Sequence, residues 1–274
     1  MTNEYELKGD TLVNEANELS SDSSSDKTIK LLDKASINYT LAKAHSKAGG
    51  VFSSLGDLYS SINDTYLSAS NYNKAGEAYI KAEDYTNAKI YLDKVYELYL
   101  SNGNYVSAGK TTVTIAEILA KQDLIVEAID YYTKAYDYYL MENNEITGAS
   151  HLRKAGYLLI SCDEYYKAIN RLRTVFDHYS SKELTASSNR ELLLDIGIIY
   201  IYLRDFNGCH EWLDFCAANN LQNSISFICL RDLVSSIENK DMSTFSSLIN
   251  SPILTKTFNI HINKCLDGIK LFSL

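Results

Sequence analysis

The chain has 274 residues, 46% of them hydrophobic and 22% charged, and a formal net charge of -9 at pH 7. This composition excludes wholesale disorder, because it supplies enough apolar side chains for a packed core. The acidic balance disfavours a protein whose main work is to neutralise nucleic-acid phosphates, since such proteins usually carry a net basic domain or a dense basic run.

The N-terminal region predicts one helix followed by a flexible loop. Its first residues, MTNEYELKGD, lack the charged start and apolar block of a signal peptide. The serine-rich stretch 20–25 is low in complexity and predicts a loop after the first helix. Because no stretch reaches the roughly 18 uninterrupted apolar residues of a membrane-spanning helix, we expect a cytoplasmic protein that contacts membranes only peripherally.

A repeat of forty residues dominates the middle of the chain. The segment NAKIYLDKVYELY (87–99) returns as EAIDYYTKAYDYY (127–139), as KAINRLRTVFDHY (167–179) and, more weakly, as NGCHEWLDFCAAN (207–219). Small residues share the first column, which we assign to Ala88, Ala128, Ala168 and Gly208. The repeated columns have the spacing of an amphipathic helix, not the alternation of a strand.

Each repeat must hold two helices and a turn, because forty residues exceed one helix of ordinary length. Turn signals lie between the copies at Asn102-Gly103-Asn104, Asn143-Asn144 and Asn219-Asn220, and we expect Asp84 and Asp163 to cap helices. Tyrosine occurs 22 times and recurs in the repeat columns, where we expect it to pack against the small residues.

These patterns predict an all-α fold of about fourteen helices. We expect a tetratricopeptide-like solenoid of helical hairpins, a twisted sheet over residues 1–220, because paired helices of this kind bury their apolar faces by stacking. The pattern becomes irregular after about residue 220, so we expect residues 221–274 to form a C-terminal helical bundle that ends the stack.

The sequence shows no pattern of a catalytic or metal site. The motifs of nucleotide binding, zinc proteases and serine hydrolases are absent. The five cysteines have no CxxC spacing, and neither Cys209, His210 and Cys216 nor His261 and Cys265 supply four zinc ligands. We therefore expect buried reduced thiols, no cofactor, no metal and no enzymatic activity.

Five basic residues recur about once per repeat on the helix that alternates with the repeated one. They are Lys110, Arg153, Lys154, Arg190 and Arg231. Helical solenoids present a long concave face lined mainly by one helix of each pair, so these residues could form a positive track for an acidic helical partner. Ordinary solvated charges remain an alternative, because 26 lysines and arginines are spread along the chain.

The chain resembles the soluble NSF attachment proteins, and among them the alpha type, over nearly its whole length. The segments that carry the resemblance are NYTLAKAHSKAGGVFSSLGDLY (38–59), NYNKAGEAYIKAEDYTNAKIYLDKVYELY (71–99), SAGKTTVTIAEI (107–118), VEAIDYYTKAYDYY (126–139) and RKAGYLLISCDEYYKAI (153–169). The resemblance implies an adaptor that coats the assembled SNARE four-helix bundle in several copies and recruits the hexameric ATPase NSF, which disassembles the bundle in vesicle fusion and intracellular transport.

The resemblance also implies site residues. Basic residues of the family's concave face hold the acidic bundle, and the matching positions are Lys110, Lys154, Arg190 and Arg231, with Arg153 beside them. NSF contact is implied for the C-terminus, where the candidates are Lys270, Leu271 and Leu274. The loop LSSDSSSDK (19–27) lacks the family's membrane-dipping phenylalanines, so any membrane contact through it should be weak.

Two other functions are compatible with a helical solenoid. A generic tetratricopeptide-like scaffold would clamp an extended peptide and would need asparagine and lysine side chains in a narrow groove. An enzyme on the same fold would need a partner or a metal site, which the sequence does not provide. Nothing in the sequence indicates a nucleic-acid partner.

Overall fold

The structure, a computed structural model, describes residues 4–19, 25–180, 185–255 and 259–272. Over these ranges the chain is all-α, with fifteen helices and no strand, which confirms the predicted fold class. The helices are α1 (Glu4–Leu19), α2 (Ser25–Leu41), α3 (His45–Ser61), α4 (Thr65–Lys81), α5 (Tyr85–Ser101), α6 (Tyr105–Lys121), α7 (Ile125–Met141), α8 (Glu145–Ser161), α9 (Tyr165–Ser180), α10 (Ala186–Tyr202), α11 (Phe206–Ala218), α12 (Ile225–Glu238), α13 (Met242–Ile249), α14 (Pro252–Thr255) and α15 (Ile260–Phe272). The predicted loop after α1 lies mostly outside the described residues.

A module of one helix and one tight turn underlies the repeat. Helices α3 to α8 each have 17 residues. Each turn between α2 and α9 places one residue in the left-handed backbone region, and these residues are Lys43, Asn63, Glu83, Gly103, Asp123, Asn143 and Asp163. Two such modules make one forty-residue repeat, and turns this short make successive helices antiparallel neighbours.

The turns close by hydrogen bonds across the left-handed residue. The backbone N–H of Asp84, for example, donates to the carbonyl of Tyr79 at 2.9 Å, which satisfies a carbonyl at the end of α4. The Asp84 side chain then accepts from the N–H of Asn87, so the predicted cap is confirmed. The prediction for Asp163 is wrong, because Asp163 is itself the left-handed residue of its turn, with a φ of 58°.

The fourth copy of the repeat is displaced by one residue from the sequence alignment. The N–H groups of Ala88, Ala168 and Cys209 donate to the carbonyls of Asp84, Glu164 and Asp205, which places all three in the same position of the first helical turn. Cys209 therefore takes the place that we assigned to Gly208, and it is fully buried as the alanines are. The extra residue lies between the start of α9 at Tyr165 and the start of α10 at Ala186.

The chain divides into two compact units, Met1–Leu124 and Ile125–Leu274. In the first unit, helices α1 to α6 each pack against the next one along the chain. Tyrosines fill the gaps between them as expected. Tyr39 and Tyr72 are almost completely buried, and their hydroxyls donate to Asp10 and Asp57 at the helix edges.

In the second unit, α7 to α10 continue the same pairing, and α10 becomes a central helix. It packs against α9, α11, α12 and α15, and its residues from Leu192 to Ile201 are all buried. Trp212 on α11 is fully buried, and its indole N–H donates to the Leu193 carbonyl at 2.9 Å. Helices α12 and α15 thus pack on α10, and α13 packs on α12. The predicted boundary between residues 220 and 221 stays a prediction.

Candidate functional site

The five predicted basic residues lie on even-numbered helices. Lys110 is on α6, Arg153 and Lys154 are on α8, Arg190 is on α10 and Arg231 is on α12. Lys110 belongs to the first unit and the other four belong to the second. All of them except Arg153 are exposed.

Lys154 and Arg231 already have neighbours that orient them. The ammonium of Lys154 lies 5.3 Å from the centre of the Tyr132 ring, within the range of a cation–π contact. Arg231 contacts the carboxylate of Asp232, with Nη2 and Oδ1 2.8 Å apart. Both partners of that ion pair are exposed, so it contributes little and can exchange for an acidic partner.

Lys110 and Arg190 make no ion pair with any residue that the structure describes. Arg190 lies at the side of a polar cavity of about 440 Å³ next to the start of α12. Asn220, Asn223 and Ser224 also line this cavity, and Ser224 caps α12 by accepting from the N–H of Phe227. These two cations are therefore available to an external carboxylate.

Arg153 is engaged within the protein. Its Nη2 lies 3.0 Å from Glu191 and 4.0 Å from Asp195, and its Nε donates to the Tyr157 hydroxyl at 2.9 Å. Tyr157 in turn donates to Asp195, which is only 4% exposed. Burial raises the pKa of Asp195 to about 6, although the Tyr157 hydrogen bond and the Arg153 charge lower it.

The sequence analysis did not find this network. The signal that could have found it is Asp195 itself, an acid within the apolar run LLLDIGIIY (192–200). A carboxylate at such a place needs a partner, because an unpaired buried charge is strongly destabilising. The partners come from α8, one helical pair earlier.

The predicted NSF residues lie at the end of the last helix. The side chain of Leu271 is 72% exposed, and Lys270 forms an exposed ion pair with Asp267 at 3.0 Å. Leu274 lies outside the described residues. Helix α15 itself is anchored, because Lys264 contacts Asp163 at 3.1 Å and buried residues of α15 pack on α10.

Four of the five cysteines are buried free thiols, as predicted, and Cys162 is half-buried. Burial raises the pKa of Cys209, Cys216 and Cys265 to about 12, so these thiols stay protonated at neutral pH. Over the described ranges, histidines, cysteines and acids form no group of three or more that could hold a metal ion. A search of the same residues for a helix long and apolar enough to cross a membrane found none.

The family model described as "Soluble NSF attachment protein, SNAP" matches residues 3–251, nearly the whole chain. The chain belongs to the soluble NSF attachment protein family. Proteins of this family are typically adaptors without enzymatic activity. Among curated proteins, none matches the chain.

Solved structures similar to this SNAP-family chain are tetratricopeptide-like. A signal-transduction ATPase with a tetratricopeptide repeat sensor from Pyrococcus horikoshii aligns at a TM-score of 0.54 with 16% identity, over 97% of this chain and 44% of that one. BtubC from P. vanneervenii aligns at a TM-score of 0.48 with 14% identity, over 80% of this chain and 91% of that one. At such identities the likeness concerns the fold alone.

Proposed function

We propose that the protein is a SNAP-type adaptor. In this function it binds assembled SNARE complexes, then recruits and stimulates the NSF ATPase, which disassembles them in vesicle fusion and intracellular transport. The observation that carries the proposal is the family match over residues 3–251. The protein would act in the cytoplasm, peripheral to membranes, and would position its partners without any chemistry of its own.

In the proposal, the SNARE bundle is bound by the basic residues of the even-numbered helices. Lys110 and Arg190 have no ion pair among the described side chains, and Lys154 and Arg231 are exposed. Exposed ion pairs contribute about 0 to 1 kcal/mol each, so one copy would bind the bundle weakly. Its affinity would fall as the salt concentration rises. Several copies held on one bundle would gain affinity through avidity, which suits a complex that assembles and dissociates in each cycle.

Arg153 has a smaller share in the proposed contact. Its guanidinium already pairs with Glu191 and hydrogen-bonds to Tyr157, so a SNARE carboxylate would have to displace these partners. We propose that Arg153 mainly holds α8 against α10 and thereby keeps the neighbouring Lys154 in place. NSF would bind the exposed end of α15 through Lys270 and Leu271, with Leu274 beyond it.

A charge-reversal variant tests the SNARE contact. The four exposed cations are changed to glutamate together, as Lys110→Glu, Lys154→Glu, Arg190→Glu and Arg231→Glu. We expect a purified SNARE four-helix bundle on beads to retain the native chain but not the variant, because each change converts an attraction into a repulsion of similar size. NSF, added with a non-hydrolysable ATP analogue, should then stay on the bundle only with the native chain.

The matched control reverses four exposed charges on odd-numbered helices, namely Lys8, Lys134, Lys167 and Arg171. This control changes the net charge by the same amount and should bind the bundle nearly as well as the native chain. Circular dichroism would show that both variants keep the helical fold. Retention of the first variant at native level would reject the proposed contact. If both variants lost binding equally, the loss would follow from the change in net charge and not from these four positions.

A further inference from the structure

A groove in the second unit is lined by none of the residues of the proposed SNARE contact. It runs between the first turns of α7 and the first three turns of α9, and the end of α8 forms its floor. Its volume is about 720 Å³, which is within the range of roughly 300 to 1,000 Å³ that ligand pockets occupy.

Part of the groove is apolar, and it is formed by Val126 and Ile129 of α7 and by Leu159 of α8. Ile129 and Leu159 are buried there, and Val126 is 67% exposed at the edge. A valine this exposed at the edge of a cavity offers apolar surface that a partner could remove from water. An aliphatic side chain fits this part of the groove.

The α9 side is polar and carries an available cation. Lys167, Asn170, Arg171 and Thr174 line the groove with the i, i+3, i+4 and i+7 spacing of one helix face. Lys167 pairs with Glu164 at 2.9 Å, whereas Arg171 has no ion pair with any described residue.

Two further groups in the groove match a peptide backbone. Asn170 is exposed, and its amide can both donate to a carbonyl and accept from an N–H. Asp130 on the opposite wall is exposed and accepts hydrogen bonds only. A ligand that satisfies all sides of the groove therefore combines backbone amides with an aliphatic side chain and a carboxylate.

We infer that the groove between α7 and α9 binds an extended peptide segment in which an aliphatic residue stands beside an acidic one. The aliphatic side chain packs on Val126, Ile129 and Leu159. The carboxylate pairs with Arg171, and Asn170 and Asp130 hydrogen-bond to the peptide backbone. This is a second binding surface, and it does not depend on the SNARE contact because it shares no residue with it.

Cys162 provides a reporter for the test. It lines the groove, and it is half-buried whereas the other four cysteines are buried. A bound peptide should shield this thiol from N-ethylmaleimide. The full chain would be used to select ligands from a display library of random peptides, with the Arg171→Glu variant as the counter-selection.

We expect the selected peptides to share an aliphatic–acidic pair and to slow the modification of Cys162, as followed by mass spectrometry of the intact protein. Arg171→Glu should lower the affinity for a selected synthetic peptide by about tenfold or more, since it replaces an attraction by a repulsion. Val126→Asp should also lower this affinity, because it places a charge where the aliphatic side chain of the peptide packs. Lys134→Glu, an exposed charge reversal on α7 that does not line the groove, should change the affinity by less than about twofold.

Three results would overturn the inference. One is that the library yields no peptide that prefers the native chain to Arg171→Glu. Another is that selected peptides leave the rate of Cys162 modification unchanged. The third is that Lys134→Glu weakens binding as much as Arg171→Glu does. Binding of the SNARE bundle by Arg171→Glu should stay at native level, so the two proposed surfaces can fail separately.

Discussion

The hydroxyl of Tyr157 donates a hydrogen bond of 2.6 Å to the carboxylate of Asp195. The two residues come from α8 and α10, so the bond joins helices of successive pairs within the second unit. Arg153 and Glu191 complete the group at its exposed side. Of the two adjacent cations on α8, Arg153 is the one that this arrangement holds within the fold.

The pH dependence of stability should contain a contribution from Asp195. Its pKa is raised from 3.8 to about 6, chiefly by burial, so the folded chain binds a proton between about pH 4 and pH 6 that the unfolded chain has released. The free energy of unfolding therefore falls as pH rises through this window, by about 3 kcal/mol at most.

The variant Asp195→Asn should lack that fall, because asparagine does not titrate and can still accept from Tyr157. Urea denaturation from pH 4 to pH 7 would measure the difference between the two proteins. We expect the native chain to lose stability relative to Asp195→Asn as pH rises. Asp232→Asn, at an exposed ion pair, is the control and should still show the fall in stability that Asp195 causes.

The neighbouring residues Arg153 and Lys154 should separate stability from binding. Arg153→Met removes the cation next to the buried Asp195 and should lower the free energy of unfolding by about 2 kcal/mol. Lys154→Met changes an exposed residue and should stay within about 0.5 kcal/mol of the native chain. In a SNARE-bundle pull-down with folded protein, the ranking of the two variants should reverse, so that Lys154→Met binds more weakly than Arg153→Met. The opposite order would place Arg153 at the contact.

Packing between α10 and α12 can be tested at one glycine. A Cβ atom added at Gly197 would overlap the Leu230 side chain, which is fully buried. Gly197→Ala should therefore destabilise the chain by about 1 to 3 kcal/mol. Gly50→Ala is the matched control, because its Cβ would meet only the Tyr79 hydroxyl, at 3.8 Å, and alanine favours a helix over glycine by up to about 1 kcal/mol. In urea denaturation, the midpoint should fall for Gly197→Ala and rise for Gly50→Ala.

Much of the fold was predictable because each repeat column carries a steric requirement that the sequence displays. The alanines at 88, 128 and 168 allow close helix contact, and they are fully buried as the alignment predicted. The fourth copy was misaligned because Gly208 and Cys209 are both small, so either residue satisfies the column. The helix cap decides between the two residues. Asp205 accepts from the N–H of Gly208 and thereby sets where α11 begins, which places Cys209 in the column.

The candidate site was predictable only as a set of helix positions. Adjacent residues on a helix point about 100° apart, so spacing alone does not distinguish Arg153 from Lys154. The distinction comes from Glu191 and Asp195 on another helix, and the sequence does not show which face they share with Arg153. The groove beside Arg171 was missed for the same reason, because its walls come from residues of three different helices.

The exposed end of α15 gives a test of NSF recruitment that leaves the fold intact. Leu271→Ala removes a side chain that is 72% exposed, so the free energy of unfolding should stay within about 0.5 kcal/mol of the native value. Binding of NSF to the adaptor–SNARE complex should weaken, because an exposed leucine at an interface gains most of its energy when the partner buries it. Ile260→Ala is the control at the other end of the same helix, where the side chain is 76% exposed. If both variants recruited NSF as well as the native chain does, the contact would lie elsewhere; if Ile260→Ala alone failed, it would lie at the start of α15.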